Sequence, residues 1–409
     1  MVAPTLSGSR AGKRTLRIAF TLLFLLNLLN YADRYLLPGV QTLVQREFLI
    51  NDAQLGALTN AFFITYMLAA PMTGWLGDRF RRKPLLVGAV LLWSVATLMT
   101  AWVHSYAAMY FRHAVVGIGE ATFGIFAPAI LCDLVPEQAR TRILSAFYVA
   151  IPLGGALGYA GGGVLGGLYG WRMPFMIAAV PGILIAILYA LFMPEPIRGG
   201  ADTIAPSFVR TKFIGLFRNA AFWYATLGMA MLVFSMGGIS TWLPTFLERR
   251  AGYSVGTAGL LSGGITAFDG IVGTLLGGWI ASRLAPKYLY RIPALAALGT
   301  IPLAAIAFFG PTYLLLPAIF LAILVLFLHN GPLNTAIVNS IAGGMRSTAI
   351  AVNLFIIHAL GDAISPWFIG FISDRSNLAT GLAATLVTLL IASILLMLGS
   401  RHIGRANAS

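Results

Sequence analysis

Runs of apolar residues long enough to cross a bilayer recur twelve times along the 409 residues, starting near positions 16, 53, 84, 107, 142, 173, 219, 254, 292, 313, 347 and 378. A spanning helix needs about 20 such residues at about 1.5 Å each. The breaks between the runs are short and polar, or marked by Gly and Pro. Backbone N–H and C=O groups find no water in hydrocarbon, so a chain with this pattern folds as a bundle of spanning helices. Composition agrees: 58% of residues are hydrophobic and 10% are charged, too apolar for a water-soluble domain of this length. The fold class read from the sequence is therefore an all-α membrane protein of twelve transmembrane helices. The first run follows Arg10, Lys13 and Arg14, exceeds a signal-peptide core in length and has no small-residue cleavage site after it. It reads as the first span.

The formal net charge of +14 would fit nucleic acid only if it clustered on a soluble face. Here it sorts by membrane side instead. With the N-terminus in the cytoplasm, inner segments hold 20 of the 27 Lys and Arg residues. Outer segments hold Arg46, Arg172, Arg249, Arg250 and Arg375, and Arg34 and Arg112 fall inside spans. This asymmetry predicts both termini in the cytoplasm. The single cysteine, Cys132, leaves no intrachain disulfide and no thiolate metal site. Neither a metal nor a cofactor is expected.

The longest loop, about Glu195 to Arg218, carries Pro196, Gly199, Gly200 and Pro206 among mixed charges and leaves six spans on either side. It reads as a cytoplasmic linker (194–218) between an N-terminal six-helix half (1–193) and a C-terminal one (219–409). The halves repeat one another. Gly74-Trp75 recurs as Gly278-Trp279, Arg79 as Arg283, Pro128 as Pro332 and Gly166 as Gly370, all in a register of 204 residues. Parallel repeats of this kind mark transporters that bind substrate near the midplane and rock their halves around it.

Ionisable residues within the spans are the functional candidates, because charge in lipid is costly and is retained where it faces a bundle interior or a wet cavity. Asp33 lies 16 residues past Arg17, about 24 Å into a core of about 30 Å. Asp33 and Arg34 point about 100° apart, so they need not pair with each other, and one of them is expected to pair across to the fourth span. There Arg112 and His113 come early and Glu120 two turns deeper. His113 is about 20° from the face of Glu120 and Arg112 about 80° from it. A carboxylate desolvated in one state and neutralised by a guanidinium in another moves a proton when its partner moves. The alternative for Glu120 is helix packing. Asp269 and Asp362 are secondary candidates, Asp362 alternatively serving backbone groups freed before Pro366. His358 is a further secondary candidate, although it and His329 read more readily as packing histidines without an acidic partner at their level.

Motifs then carry a resemblance. Gly74-Trp75-Leu76-Gly77-Asp78-Arg79-Phe80-Arg81-Arg82-Lys83 resembles the signature loop of the major facilitator superfamily, with Arg81 where that motif has its later glycine. Gly74, Asp78, Arg79 and Arg82 are its candidate cytoplasmic gate, with charge-assisted contacts latching one conformation. Asn30-Tyr31-Ala32-Asp33-Arg34, Val116-Gly117-Ile118-Gly119-Glu120-Ala121, Ile151-Pro152-Leu153-Gly154 with Gly158, Trp242-Leu243-Pro244 with Phe246, and Gly361-Asp362 with Ser365-Pro366 resemble spinster-type lipid transporters, in a bacterial-like form. Relatives usually place an arginine where this chain has His113, so Arg112 and His113 both remain candidates for the cavity.

The resemblance implies a proton-coupled carrier of lysophospholipids or sphingoid-type lipids. Asp33 and Glu120 would carry the coupling, and Asn30, Tyr31, Arg34, Arg112 and His113 would meet substrate or balance charge. Its partners would be an amphipathic lipid, protons and membrane lipids; it would act as a monomer in a bacterial-type plasma membrane. A carrier of small organic anions or drugs is the alternative. An enzyme is not indicated, since no Ser/His/Asp set or metal-ligand spacing is recognisable. Small-residue spacing at Gly154, Gly158, Gly162 and Gly166, and again at Gly270, Gly273, Gly277 and Gly278, predicts close helix packing in spans 5 and 8.

Overall fold

The computed structural model describes residues 10–195, 216, 218–341 and 346–406. Most of the linker 194–218 lies outside the described residues, as does the side chain of Asp78. Among the described residues twelve helices are long and apolar enough to cross a membrane: Arg14–Phe48 (α1), Asp52–Gly77 (α2), Arg82–Trp102 (α3), Tyr106–Leu134 (α4), Arg142–Tyr169 (α5), Arg172–Phe192 (α6), Ala220–Ala251 (α7), Val255–Ser282 (α8), Tyr288–Phe309 (α9), Thr312–Asn339 (α10), Ala349–Ser373 (α11) and Leu378–His402 (α12). Their starts fall within about four residues of those read from the apolar runs. The protein is an all-α, multi-pass integral membrane protein.

Helix ends are built from residues that satisfy orphan backbone groups. Ser105 accepts from the Ala108 N–H at 3.3 Å to start α4, and Asn219 accepts from Phe222 at 3.0 Å to start α7. Glu195, past the end of α6, accepts the Arg82 N–H at 2.7 Å at the start of α3, where a negative charge also suits the helix dipole. α7 stops at Gly252, whose φ of 70° is a left-handed cap and whose N–H reaches the Glu248 carbonyl at 3.0 Å. α11 contains a π-turn over His358–Asp362 just before Pro366. Proline has no N–H for the Asp362 carbonyl four residues back, so the regular ladder cannot run through this point.

The helices gather into two compact units. One contains the described parts of 1–48, 61–207 and 255–263; the other contains those of 49–60, 208–254 and 264–409. The first has a core of Leu23, Leu26, Trp93, Phe123, Phe126 and Tyr189. The second has one of Phe222, Leu232, Tyr290, Leu326, Leu333 and Leu396. The sequence repeat has a physical counterpart in each unit. The Arg79 guanidinium lies 4.1 Å from the Trp75 ring and that of Arg283 lies 4.0 Å from Trp279, cation–π contacts at equivalent places.

Within the first unit, glycines let α5 approach α1 at backbone distance. A Cβ at Gly154 would sit 2.5 Å from the Leu28 carbonyl oxygen, and one at Gly158 would meet the Ala32 carbonyl and lie 2.8 Å from the Tyr35 Cβ. This contact presents the Tyr31, Ala32 and Tyr35 side of α1 to α5, which leaves Asp33 and Arg34 to face the other helices of the unit. The first turns of α8 pack the same way, since a Cβ at Gly163 would lie 2.7 Å from the Val255 carbonyl oxygen. Gly161 of α5 meets nothing within 4 Å. Gly158→Leu is therefore expected to destabilise the protein by about 1–3 kcal/mol or more through overpacking, while Gly161→Leu leaves stability near wild type; thermal unfolding of the two purified variants checks the difference.

Candidate functional site

Four ionisable side chains and a histidine lie inside the first unit on α1 and α4: Asp33, Arg112, His113 and Glu120, which are buried, and Arg34, which is partly buried. The Arg34 Nη2 donates to Glu120 Oε2 at 2.9 Å and its Nε reaches the same oxygen at 3.3 Å. This is the pairing from α1 across to α4. Glu120 is fully buried, and its other oxygen has no hydrogen-bond partner. The Arg34 guanidinium also lies over aromatic rings on α1 and α2, 4.7 Å from Tyr31, 4.8 Å from Phe62 and 5.4 Å from Tyr66. Ring faces offer a cation electrostatic support without a competing negative charge. Close approach at Gly117, where a Cβ would run into the Phe62 carbonyl oxygen, sets α4 against α2 at this level.

Asp33 accepts the hydroxyl of Thr97 on α3 and keeps its second oxygen without a partner. Thr97 is a site residue that sequence reasoning missed, because a threonine in an apolar helix carries no signal that separates it from a back-bonded one. Asn30, one turn earlier on α1, is buried with its amide nitrogen unpartnered.

Arg112 and His113, expected as alternatives, occupy one arrangement together. The His113 Nδ1 donates to the Met109 carbonyl at 3.1 Å, which leaves Nε2 to accept from Arg112 Nη2 at 3.0 Å. The Arg112 guanidinium lies 5.1 Å from the Phe175 ring, and its Nε has no hydrogen-bond partner. Two carboxylates and two guanidiniums thus share one apolar enclosure. Any change in the protonation of either acid leaves it with excess positive charge.

The remaining candidates fall elsewhere. Arg82 binds Asp133 of α4 at 2.7 Å, tying α3 to α4. Gly74 has open space where a side chain would stand. Asp269 on α8 is fully buried and neither carboxylate oxygen has a hydrogen-bond partner. The reading of His358 as lacking an acidic partner is corrected: its Nδ1 lies 2.9 Å from Asp362 Oδ2 across the π-turn, a partner four residues along the same helix. Among the described residues no group of three or more His, Cys, Asp or Glu side chains is placed to hold a metal.

A second cluster went unread in the sequence. Buried Asp52, at the start of α2, binds Arg249 of α7 through both oxygens at 2.7 Å and accepts the Ser373 hydroxyl at 2.5 Å. Asp374 after α11 accepts the N–H groups of Asp52 and Ala53 at 2.8 and 3.0 Å. Residues up to 322 positions apart meet here, and nothing local announces them.

Comparison with known proteins places this geometry. Residues 23–366 match the Major Facilitator Superfamily. The chain is 32% identical over 386 residues to protein spinster homolog 3 of Danio rerio, covering 87% of this chain and 76% of that protein. It is 31% identical over 374 residues to the sphingosine-1-phosphate transporter SPNS2 of Xenopus tropicalis, covering 87% and 73%. In fold it is similar to the crystal structure of a bacterial homolog of the human lysosomal transporter spinster, in an inward-facing and unoccupied conformation, with a TM-score of 0.87, 24% identity and coverage of 96% and 98%.

Removing one partner of a buried ion pair strands the other. Arg34→Ala is expected to destabilise the protein by about 3–5 kcal/mol, and Glu120→Gln in that background to recover much of the loss by removing the stranded charge. Thermal unfolding of the two single variants and the double variant measures this; additive losses would contradict direct pairing.

Proposed function

We propose, from the premise that this chain belongs to the Major Facilitator Superfamily and within it to the spinster family, that this secondary transporter moves lysophospholipids or sphingoid-type lipids by alternating access, coupled to protons. The observation that carries the reading is the buried Arg34–Glu120 pair with Asp33 beside Arg34 in sequence. While Glu120 is ionised, its charge occupies the Arg34 guanidinium. When Glu120 takes up a proton, Arg34 is released to bind an anion, and a phosphate head group is a strong partner for a guanidinium. A phosphate arriving at Arg34 correspondingly favours the neutral form of Glu120. Proton and head group therefore load as a pair.

Asp33, held by Thr97 and with one oxygen unpartnered, provides a second acid in the same enclosure. Arg112, tied to neutral acceptors and an aromatic ring rather than to a carboxylate, keeps the enclosure attractive to anions. Phosphate at one end and a single apolar chain at the other describe both lipid classes, and the name of the Xenopus relative assigns a sphingosine phosphate to that protein.

The six-helix halves 1–193 and 219–409, joined by 194–218, are proposed as the bodies that move, with Gly74, Asp78, Arg79 and Arg82 as their cytoplasmic gate. Both termini are proposed to lie in the cytoplasm, in a bacterial-type plasma membrane, with the monomer as the working form. The distribution of Lys and Arg supports that orientation.

The test is uptake of labelled lysophospholipid into liposomes containing the purified protein, with and without an imposed pH gradient. Wild type is expected to accumulate lipid in proportion to the gradient. Asp33→Asn and Glu120→Gln are each expected to lose about 5- to 150-fold of gradient-driven accumulation, the span of a coupling free energy. Gradient dependence retained by both variants would remove the coupling assignment. Competition by small carboxylates but not by lysolipid would replace the substrate class with organic anions.

A further inference from the structure

Asp269 is an acid that the Arg34–Glu120 account does not use. It is fully buried in α8, and both its oxygens lack a hydrogen-bond partner. α8 is held against α10 at backbone distance on the face that Asp269 shares. A Cβ at Gly273, one turn on, would lie 2.7 Å from both the Leu324 carbonyl oxygen and the Phe327 Cβ, and one at Gly277 would run into Leu328. Further along the same contact the Asn330 amide donates to the Thr274 hydroxyl at 3.2 Å. On the other side, Thr266 lines a small cavity with Met236, Ile239, Ser240 and Ile323. Phe268, next to the acid, packs on Phe320 of α10 with ring centroids 5.5 Å apart.

Among the described residues no neighbouring charge compensates this carboxyl. Asp269 is the only ionisable residue in α8. The facing stretch of α7, 236–243, carries none. On α10 the titratable residues are Tyr313, which is exposed, and His329, whose Nδ1 is bound to the Leu326 carbonyl at 2.6 Å. His329 follows Leu328, which meets Gly277, about 12 Å along α8 from Asp269. α5, which meets the first turns of α8, contributes Tyr159 near Gly259. An ionised carboxylate without partner or counter-charge is among the costliest things to bury. A cation in its place would need several further oxygen ligands, and among the described residues no group of three or more His, Cys, Asp or Glu side chains is placed to hold a metal.

We propose that Asp269 is a second proton-binding site, in which the proton itself closes the α8–α10 contact. The neutral acid fits between the helices as they stand. Loss of its proton requires α8 to draw away from α10 far enough for water to reach the carboxylate. The site binds protons independently of Asp33 and Glu120, and it does not depend on the identity of the transported lipid.

Infrared spectra of the purified full chain, recorded in heavy water at mildly acidic and neutral pH, test this without any substrate. The wild type is expected to retain a protonated-carboxyl C=O stretch at neutral pH that Asp269→Asn removes, that Asp269→Glu shifts, and that persists in Asp33→Asn and Glu120→Gln. Unfolding measured across the same pH range gives a second readout. A proton held by the folded state and released by the unfolded one makes stability fall as pH rises, so wild type is expected to show a steeper fall than Asp269→Asn. Matching spectra and matching pH slopes in wild type and Asp269→Asn would overturn the proposal. Loss of the band on replacing choline chloride with sodium chloride at constant pH would overturn it in favour of a metal-cation site.

Discussion

A partly buried guanidinium and a fully buried carboxylate, paired between α1 and α4, set the terms for the rest of the first unit. Arg34 and Glu120 meet at 2.9 Å, with Glu120 cut off from solvent. Neither charge is tolerable there alone, and together they roughly offset the cost of leaving water only when the geometry is good. Much of the surrounding sequence supplies that geometry. The glycines of α5 bring α1 in at backbone distance, Gly117 brings α4 onto α2, and Tyr31, Phe62 and Tyr66 cover the guanidinium. Such a pair adds little to stability compared with well-packed apolar side chains. In the proposed mechanism the pair has two states, paired and released, that differ by one proton.

The second unit handles charge differently. Asp52 is buried but fully engaged by Arg249 and Ser373, while Asp374 caps the helix that Asp52 begins. This is a closed hydrogen-bonded network at helix ends. Asp269 is the opposite case, an acid whose oxygens have no hydrogen-bond partner among the described residues. His358 and Asp362 lie between these extremes, joined across a π-turn that Pro366 helps to impose. The chain therefore carries acids at several levels of compensation.

How much of this was legible in the sequence depends on the range over which each feature is encoded. The spans were readable because each is a long local run, and their starts fell within about four residues. Asp33, Arg34, Arg112 and Glu120 stood out because charge inside such a run is rare. Their partners were less visible. Thr97 looks like any threonine in an apolar helix, and Arg249 looks like an outer-loop arginine until α2 and α7 are brought together, 197 residues apart. Arg112 and His113 stand as alternatives in the sequence because relatives usually carry an arginine at the His113 position, whereas the flexible Arg112 guanidinium folds back onto the neighbouring ring. The acid beside His358 was legible four positions on, and only the expectation of a packing histidine hid it.

The central claim is that a phosphate head group and a proton load together, the head group on the Arg34 guanidinium and the proton on the Glu120 carboxylate. Calorimetric titration of lysophospholipid into the purified protein, repeated at one pH in buffers of different ionisation enthalpy, counts protons exchanged on binding. The account predicts uptake of about one proton per lipid bound by the wild type, in proportion to the shift in Glu120 protonation that linkage requires, and none in Glu120→Gln. Binding with no proton exchange in the wild type would contradict it.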